Sequence, residues 1–184
     1  MTSPSSPPER RRFLHHAAAA VAVAVPGVAA ARVAPPAAQS LAMLHTHTGE
    51  RIEIVFAQGR RYLPQALGAL NHFLRDHYSG EVGPIDPGLF GLLHRLQATL
   101  GSRRPFEVIS GYRGAATNRR LRANGGGGVA TRSLHMQGQA IDVRLPGVAL
   151  ADLRDAALAL RAGGVGYYER SQFVHLDTGR VRRW

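Results

Sequence analysis

Ser133-Leu134-His135-Met136-Gln137-Gly138-Gln139-Ala140-Ile141-Asp142-Val143 sets a histidine and a carboxylate seven residues apart. Phe173-Val174-His175-Leu176-Asp177 adds a second histidine thirty-three residues beyond that carboxylate. Two imidazoles and one carboxylate suit a catalytic zinc site, in which three protein ligands leave the fourth position open. The local pattern agrees with such a site. Residues 139–145 alternate, with Ile141, Val143 and Leu145 apolar on one face and Ala140 and Asp142 on the other, which is the period of a half-buried strand. Asp142 on the open face can reach a metal held by His135 from the preceding loop. Gly138 permits the tight turn between them, and Ala140 leaves room above the strand. Residues 173–177 form a second short strand pattern in which His175 and Asp177 share a face.

Outward from this stretch, the chain alternates strand and helix signals. Residues 41–56 carry a hairpin signal, with a polar turn around Thr48-Gly49-Glu50 and then alternating Ile52, Ile54 and Phe56. His45 and His47 lie two apart before that turn and are expected on a surface strand. Residues 64–78 read as a helix with Leu67, Leu70 and Leu74 on one stripe, and His72 and His77 near its end suit the helix dipole. Asp86-Pro87 opens a second helix as N-cap and first position, Leu89, Leu92, Leu93, Leu96 and Leu100 line its core face, and Gly101 stops it. Residues 106–110 are a short strand ending at Gly111-Tyr112-Arg113, a small-residue turn that projects an arginine. Residues 115–124 are expected to be helical, and the four glycines 125–128 to form a flexible rim before the metal strand. Leu150, Leu153, Ala157 and Leu160 mark a further helix, which Gly163-Gly164 ends. Residues 165–169 and 172–177 then read as two strands, and the short link favours antiparallel pairing. Helices set apart from a largely antiparallel sheet imply a single α+β domain.

Composition narrows the function. The chain has 184 residues, no cysteine, and a formal charge of +11 in which every basic residue is arginine. Any zinc must therefore use nitrogen and oxygen ligands. The scattered arginines and the lack of a recognition motif argue against nucleic acid and favour another polyanion. Arg10-Arg11-Arg12-Phe13-Leu14 matches a twin-arginine pattern; an Ala/Val stretch and small residues follow, too short to remain as a membrane span. We therefore expect residues 1–31 to be a twin-arginine signal, 32–40 an Ala/Pro linker, and 41–184 the functional domain, delivered by the twin-arginine machinery to the periplasm. Removing 1–31 takes three arginines and Glu9 from the 23 basic and 12 acidic residues, so the mature chain keeps net +9.

Ser133-x-His135-x-x-Gly138-x-Ala140-x-Asp142 with a late His175-x-Asp177 resembles the zinc peptidases related to D-Ala-D-Ala carboxypeptidases and hedgehog-type domains. Ile109-Ser110-Gly111-Tyr112-Arg113, residues 163–168 (Gly-Gly-Val-Gly-Tyr-Tyr) and the terminal Arg183-Trp184 narrow this to a resemblance to the murein endopeptidase K family, over residues 41–184. That resemblance implies one zinc per chain on His135, Asp142 and His175. It also implies Arg113 beside the metal, Tyr112 and Ser133 as substrate contacts, and peptidoglycan as the partner of a monomer. The implied activity is a zinc-dependent murein endopeptidase. Alternatives are a D,D-carboxypeptidase and a noncatalytic zinc-containing wall-binding module. Many such peptidases place a carboxylate three residues before the last histidine ligand, where this chain has Gln172. Asp177 is the first substitute for that general base, or else a carboxylate that orients a ligand histidine. Glu169 is the second substitute.

Overall fold

The computed structural model describes residues 37–124 and 129–184; the expected signal, most of the expected linker and the four-glycine rim lie outside them. Among the described residues, no helix is long and apolar enough to cross a membrane. Strand β1 (Ala38–His45) turns at Gly49 into β2 (Arg51–Gln58), pairing Leu41 with Ile54 and Met43 with Ile52. The strand starts three residues before residue 41, with Ala38 and Gln39 paired to Gln58 and Ala57 and the Gln39 side chain donating to the Gly59 carbonyl at 2.7 Å. The remaining elements are β3 (Arg61–Tyr62), α1 (Pro64–Phe73), α2 (Pro87–Thr99), β4 (Phe106–Ser110), α3 (Ala115–Asn124), a 3-10 turn (Leu134–Gln137), β5 (Ala140–Arg144), α4 (Leu150–Leu160), β6 (Gly164–Tyr168), β7 (Phe173–Asp177) and β8 (Arg182–Arg183).

One eight-stranded sheet runs β3-β2-β1-β4-β5-β7-β6-β8. Five pairings are antiparallel, and β1/β4 and β6/β8 are parallel. A parallel pair needs a crossover; the one between β1 and β4 contains α1 and α2. Phe56, Phe90, Phe106, Leu41, Leu93 and Ile141 are fully buried, and one core cluster joins the strands to α1, α2 and α4. Val174 and Leu176 of β7 belong to that core with Ile141 and Val143 of β5. Alternation therefore turns Asp142, His175 and Asp177 to the opposite side of the sheet. This is the expected α+β architecture, with helices laid on a mostly antiparallel sheet.

Four local expectations are corrected. First, α1 ends at Phe73 and not at Tyr78. The Asp76 carboxylate accepts from the Tyr78 and Gly114 amides, each at 2.9 Å, and a side chain that bonds its own following backbone competes with helix. Second, His45 is fully buried and not on a surface strand, packed edge-on to Phe73 and His77. Third, His77 lies beyond the helix and stacks on His47 at 4.2 Å. Burial, then repulsion within the imidazole group, lowers His45 and His77 to about 4, so His77 is a neutral packing group and no helix-end cation. The stop of α4 also precedes the glycines, since Arg161 takes the left-handed cap at φ 48°. Asp86 caps α2 as expected, accepting from the Gly88 amide at 2.8 Å.

Candidate metal centre

The register of β5 against β7 sets Asp142 directly opposite His175. The 3-10 turn then brings His135 over the same point. It is closed by Gly138 at φ 65°, where a side chain would also run into the Pro84 carbonyl. The Asp142 carboxylate lies 2.8 Å from His175 Nδ1 and 3.3 Å from His135 Nε2, and those two nitrogens are 3.2 Å apart. Each residue therefore offers one donor atom, all within 4.8 Å of one another, and all three are buried. They form the group among the described residues that could hold a metal ion.

Each imidazole is fixed at its other nitrogen. His135 Nδ1–H donates to the Gly111 carbonyl at 2.7 Å, which leaves the Nε2 lone pair facing Asp142 and His175. His175 turns Nε2 toward the Asp177 carboxylate at 3.3 Å, which leaves Nδ1 for the cluster. Metal-ligating histidines are ordinarily oriented in this way by a carbonyl or carboxylate, so the donor set and its supports fit a nitrogen/oxygen metal site. Burial by itself would raise the Asp142 carboxyl, but its contacts with His135 and then His175 outweigh this and hold it well below the usual carboxylate range. Burial likewise opposes a charged His175, and the hydrogen bonds to Asp142 and Asp177 overcome it and raise its pKa.

Asp177 stands behind His175, on the side away from Asp142. One oxygen accepts from the Gly164 and Gly179 amides at 2.9 and 2.8 Å and from Arg182 at 3.0 Å; the other accepts from Arg182 at 2.6 Å. The carboxylate is fully buried and does not line the cleft over the cluster. Gln172 is turned away as well, at φ 55° with its amide on the Glu169 carbonyl at 2.6 Å, lining a separate hollow with Glu107 and Arg144. Glu169 is exposed and lies outside the cleft.

The cleft has a volume of about 680 Å³, and Arg113, Arg132, Ser133, Tyr168, Phe173 and Trp184 are among its walls. Among the described residues Asp142 is the one carboxylate that lines it. The Arg113 amide donates to the His135 carbonyl at 3.2 Å, tying the Gly-Tyr-Arg turn to the 3-10 turn that carries His135. Ser133 leaves its hydroxyl free of any helix-capping bond. Tyr112 does not line this cleft: its hydroxyl donates to Glu81 at 3.1 Å, and it lines an adjoining pocket of about 190 Å³ to which Arg113, Asp142 and Phe173 also contribute. Sequence reasoning gave no role to Arg182, Trp184 or Asp76. The five-residue spacing from Asp177 to Arg182 was a usable signal for the first, whereas nothing local tied Asp76 to Gly114.

The family model described as peptidoglycan L,D-endopeptidase MepK matches residues 31–184. The peptidoglycan L,D-endopeptidase MepK of Escherichia coli strain K12 is 49% identical over 163 residues, covering 89% of this chain and 89% of that protein. The corresponding Shigella flexneri protein matches to the same extent. The probable peptidoglycan L,D-endopeptidase MepK of Haemophilus influenzae is 40% identical over 161 residues, 87% of this chain and 86% of that one. No solved structure matches.

Proposed function

Because the chain belongs to the family described as peptidoglycan L,D-endopeptidase MepK, we infer that it is a metallopeptidase that hydrolyses peptide bonds in peptidoglycan. The observation that carries this reading is the convergence of His135 Nε2, His175 Nδ1 and an Asp142 oxygen, with each imidazole fixed at its other nitrogen. Two nitrogens, one oxygen and an open side fit a single catalytic zinc. When bound, that ion would lower the pKa of a water and polarise the scissile carbonyl. The arginines at the cleft do complementary work. Arg113 and Arg132 present guanidinium groups to a substrate carboxylate or to the oxyanion that develops at the carbonyl. The Ser133 hydroxyl supplies a further polar contact at the floor. Asp177 orients His175, a role that its place behind the ring favours over that of general base.

The relatives' printed activity points to the bond between an L- and a D-configured centre as the one cut here. Digestion of purified wall sacculi, with and without chelator, tests the whole reading by mass spectrometry of the products. Crosslinked fragments split at an L,D bond only in the chelator-free reaction are expected. Retention on sacculi without products would establish a wall-binding module instead, and loss of a terminal D-alanine alone a carboxypeptidase. Peptidoglycan lies outside the cytoplasm, and the Arg10-Arg11-Arg12-Phe13-Leu14 pattern supports twin-arginine export to the periplasm. Lysine at all three arginines should accumulate unprocessed precursor; normal maturation would refute that route.

A further inference from the structure

We propose that Arg182 is a positioning residue for the metal centre: its grip on Asp177 and its packing on Trp184 together fix the direction in which His175 presents Nδ1. The inference rests on the metallopeptidase reading above.

The contacts form a closed brace. Arg182 binds both oxygens of Asp177, at 3.0 and 2.6 Å, in the paired geometry that a guanidinium fork imposes. A carboxylate held at both oxygens cannot rotate about its own bond, so the oxygen facing His175 Nε2 at 3.3 Å stays in place. The guanidinium also lies over the Trp184 ring, 4.8 Å from its centre. Trp184 is pinned in turn, its indole N–H donating to the Tyr168 hydroxyl at 2.8 Å, and its ring stands 5.3 Å from that of His175. His175 is thus held along one edge by Asp177 and flanked by Trp184, and Arg182 braces both.

The sequence makes room for this brace. Strand β8 pairs with β6 in parallel, Gly164 beside Arg182. A side chain at Gly164 would collide with the Arg182 guanidinium and the Asp177 carboxylate, and one at Gly166 would come within 2.7 Å of the Trp184 ring. Two glycines at strand period clear one side of β6 where the brace packs. Arg182 also lines the cleft, so direct substrate binding is the rival role. Its donors argue against that: one terminal nitrogen serves Asp177 and the Arg180 carbonyl, and the other serves Asp177.

The test uses cobalt(II) as a spectroscopic stand-in, titrated into metal-free wild type, Arg182→Gln, Arg182→Lys, Asp177→Asn and the Arg182→Gln/Asp177→Asn pair. Arg182→Gln should weaken cobalt binding about 10–100-fold and alter the visible absorption of the bound ion. Arg182→Lys should fall between, because it keeps the charge and loses the fork. Arg182→Gln should add nothing in the Asp177→Asn background, since it acts through that carboxylate. Unchanged affinity and spectrum in a folded Arg182→Gln protein, or a raised KM alone at saturating metal, would overturn the proposal in favour of substrate binding. Should Arg182→Gln fail to fold, the lysine variant decides, and wild-type cobalt binding in it counts against the brace. Failure of the wild type to bind cobalt would strike the metallopeptidase reading itself.

Discussion

Asp177→Asn separates the two roles open to that carboxylate, and the surroundings set the size of the effect. Every neighbour of its oxygens is a donor: two backbone amides and one Arg182 nitrogen on one side, the other Arg182 nitrogen and His175 on the other. An asparagine must turn its NH2 toward one of these sets. The less crowded choice opposes Arg182 and His175, and it invites His175 to move its proton from Nε2 to Nδ1, the atom needed for the metal. Breaking a buried ion pair costs about 3–5 kcal/mol. The Arg182 side chain is 31% exposed and regains some water, so about 2–3 kcal/mol is expected here, or roughly 4–12 °C in Tm for a domain of this size. Zinc affinity should drop about 10–100-fold by competition with a chromophoric chelator. The carboxylate is held below the usual range, with the bonds to His175 and Arg182 outweighing burial. Its stabilisation is therefore present above the ordinary value of 3.8 and lost as pH falls below it, a limb the asparagine variant should lack. An asparagine protein with wild-type melting and wild-type zinc affinity, but turnover reduced about 10²–10⁴-fold, would refute this and make Asp177 the general base.

Three further outcomes follow from the fold. Gly138→Ala should destabilise by on the order of 3 kcal/mol or more and release the metal, since it combines left-handed strain with a collision on the Pro84 carbonyl next to His135. Gly68→Ala, in α1 with open space around it, should instead stabilise by about 0.5–1 kcal/mol in the same denaturant series. The imidazole group predicts acid sensitivity. His77 is lowered from 6.5 to about 4, so the unfolded chain takes up a proton between those values that the folded chain refuses, and stability falls as pH drops through that window. The ring is half-buried, and solvent screening cuts the loss to about 1–2 kcal/mol from the roughly 3 that the full shift would give. His77→Phe keeps the stack on His47 and should flatten the slope of stability between pH 6.5 and 4 by roughly a third to a half of a proton on average, the equivalent of that loss. Parallel slopes for the two proteins, from urea midpoints, would exclude that account.

The sequence by itself determined the main helices and strands and the candidate ligand types. Period two in 139–145 and 173–177 assigned faces to Asp142 and His175, and leucine spacing with an Asp-Pro start placed α2, because both signals depend on neighbours along the chain. The Gly-Tyr-Arg turn and Gly138 were legible for the same reason. Tertiary structure alone decided which strands meet. The pairing of β5 with β7 sets Asp142 opposite His175, and that register depends on how two apolar faces fill one core. The same holds for the burial of His45, where three segments converge, and for the end of α1, taken over by an Asp76 carboxylate bonded thirty-eight residues away to Gly114. It holds most of all for Asp177. Period two put it on the face of His175, as the sequence implied, but only the arrival of β8 beside β6 brought Arg182 onto its oxygens and set that carboxylate behind the His175 ring, away from the cleft.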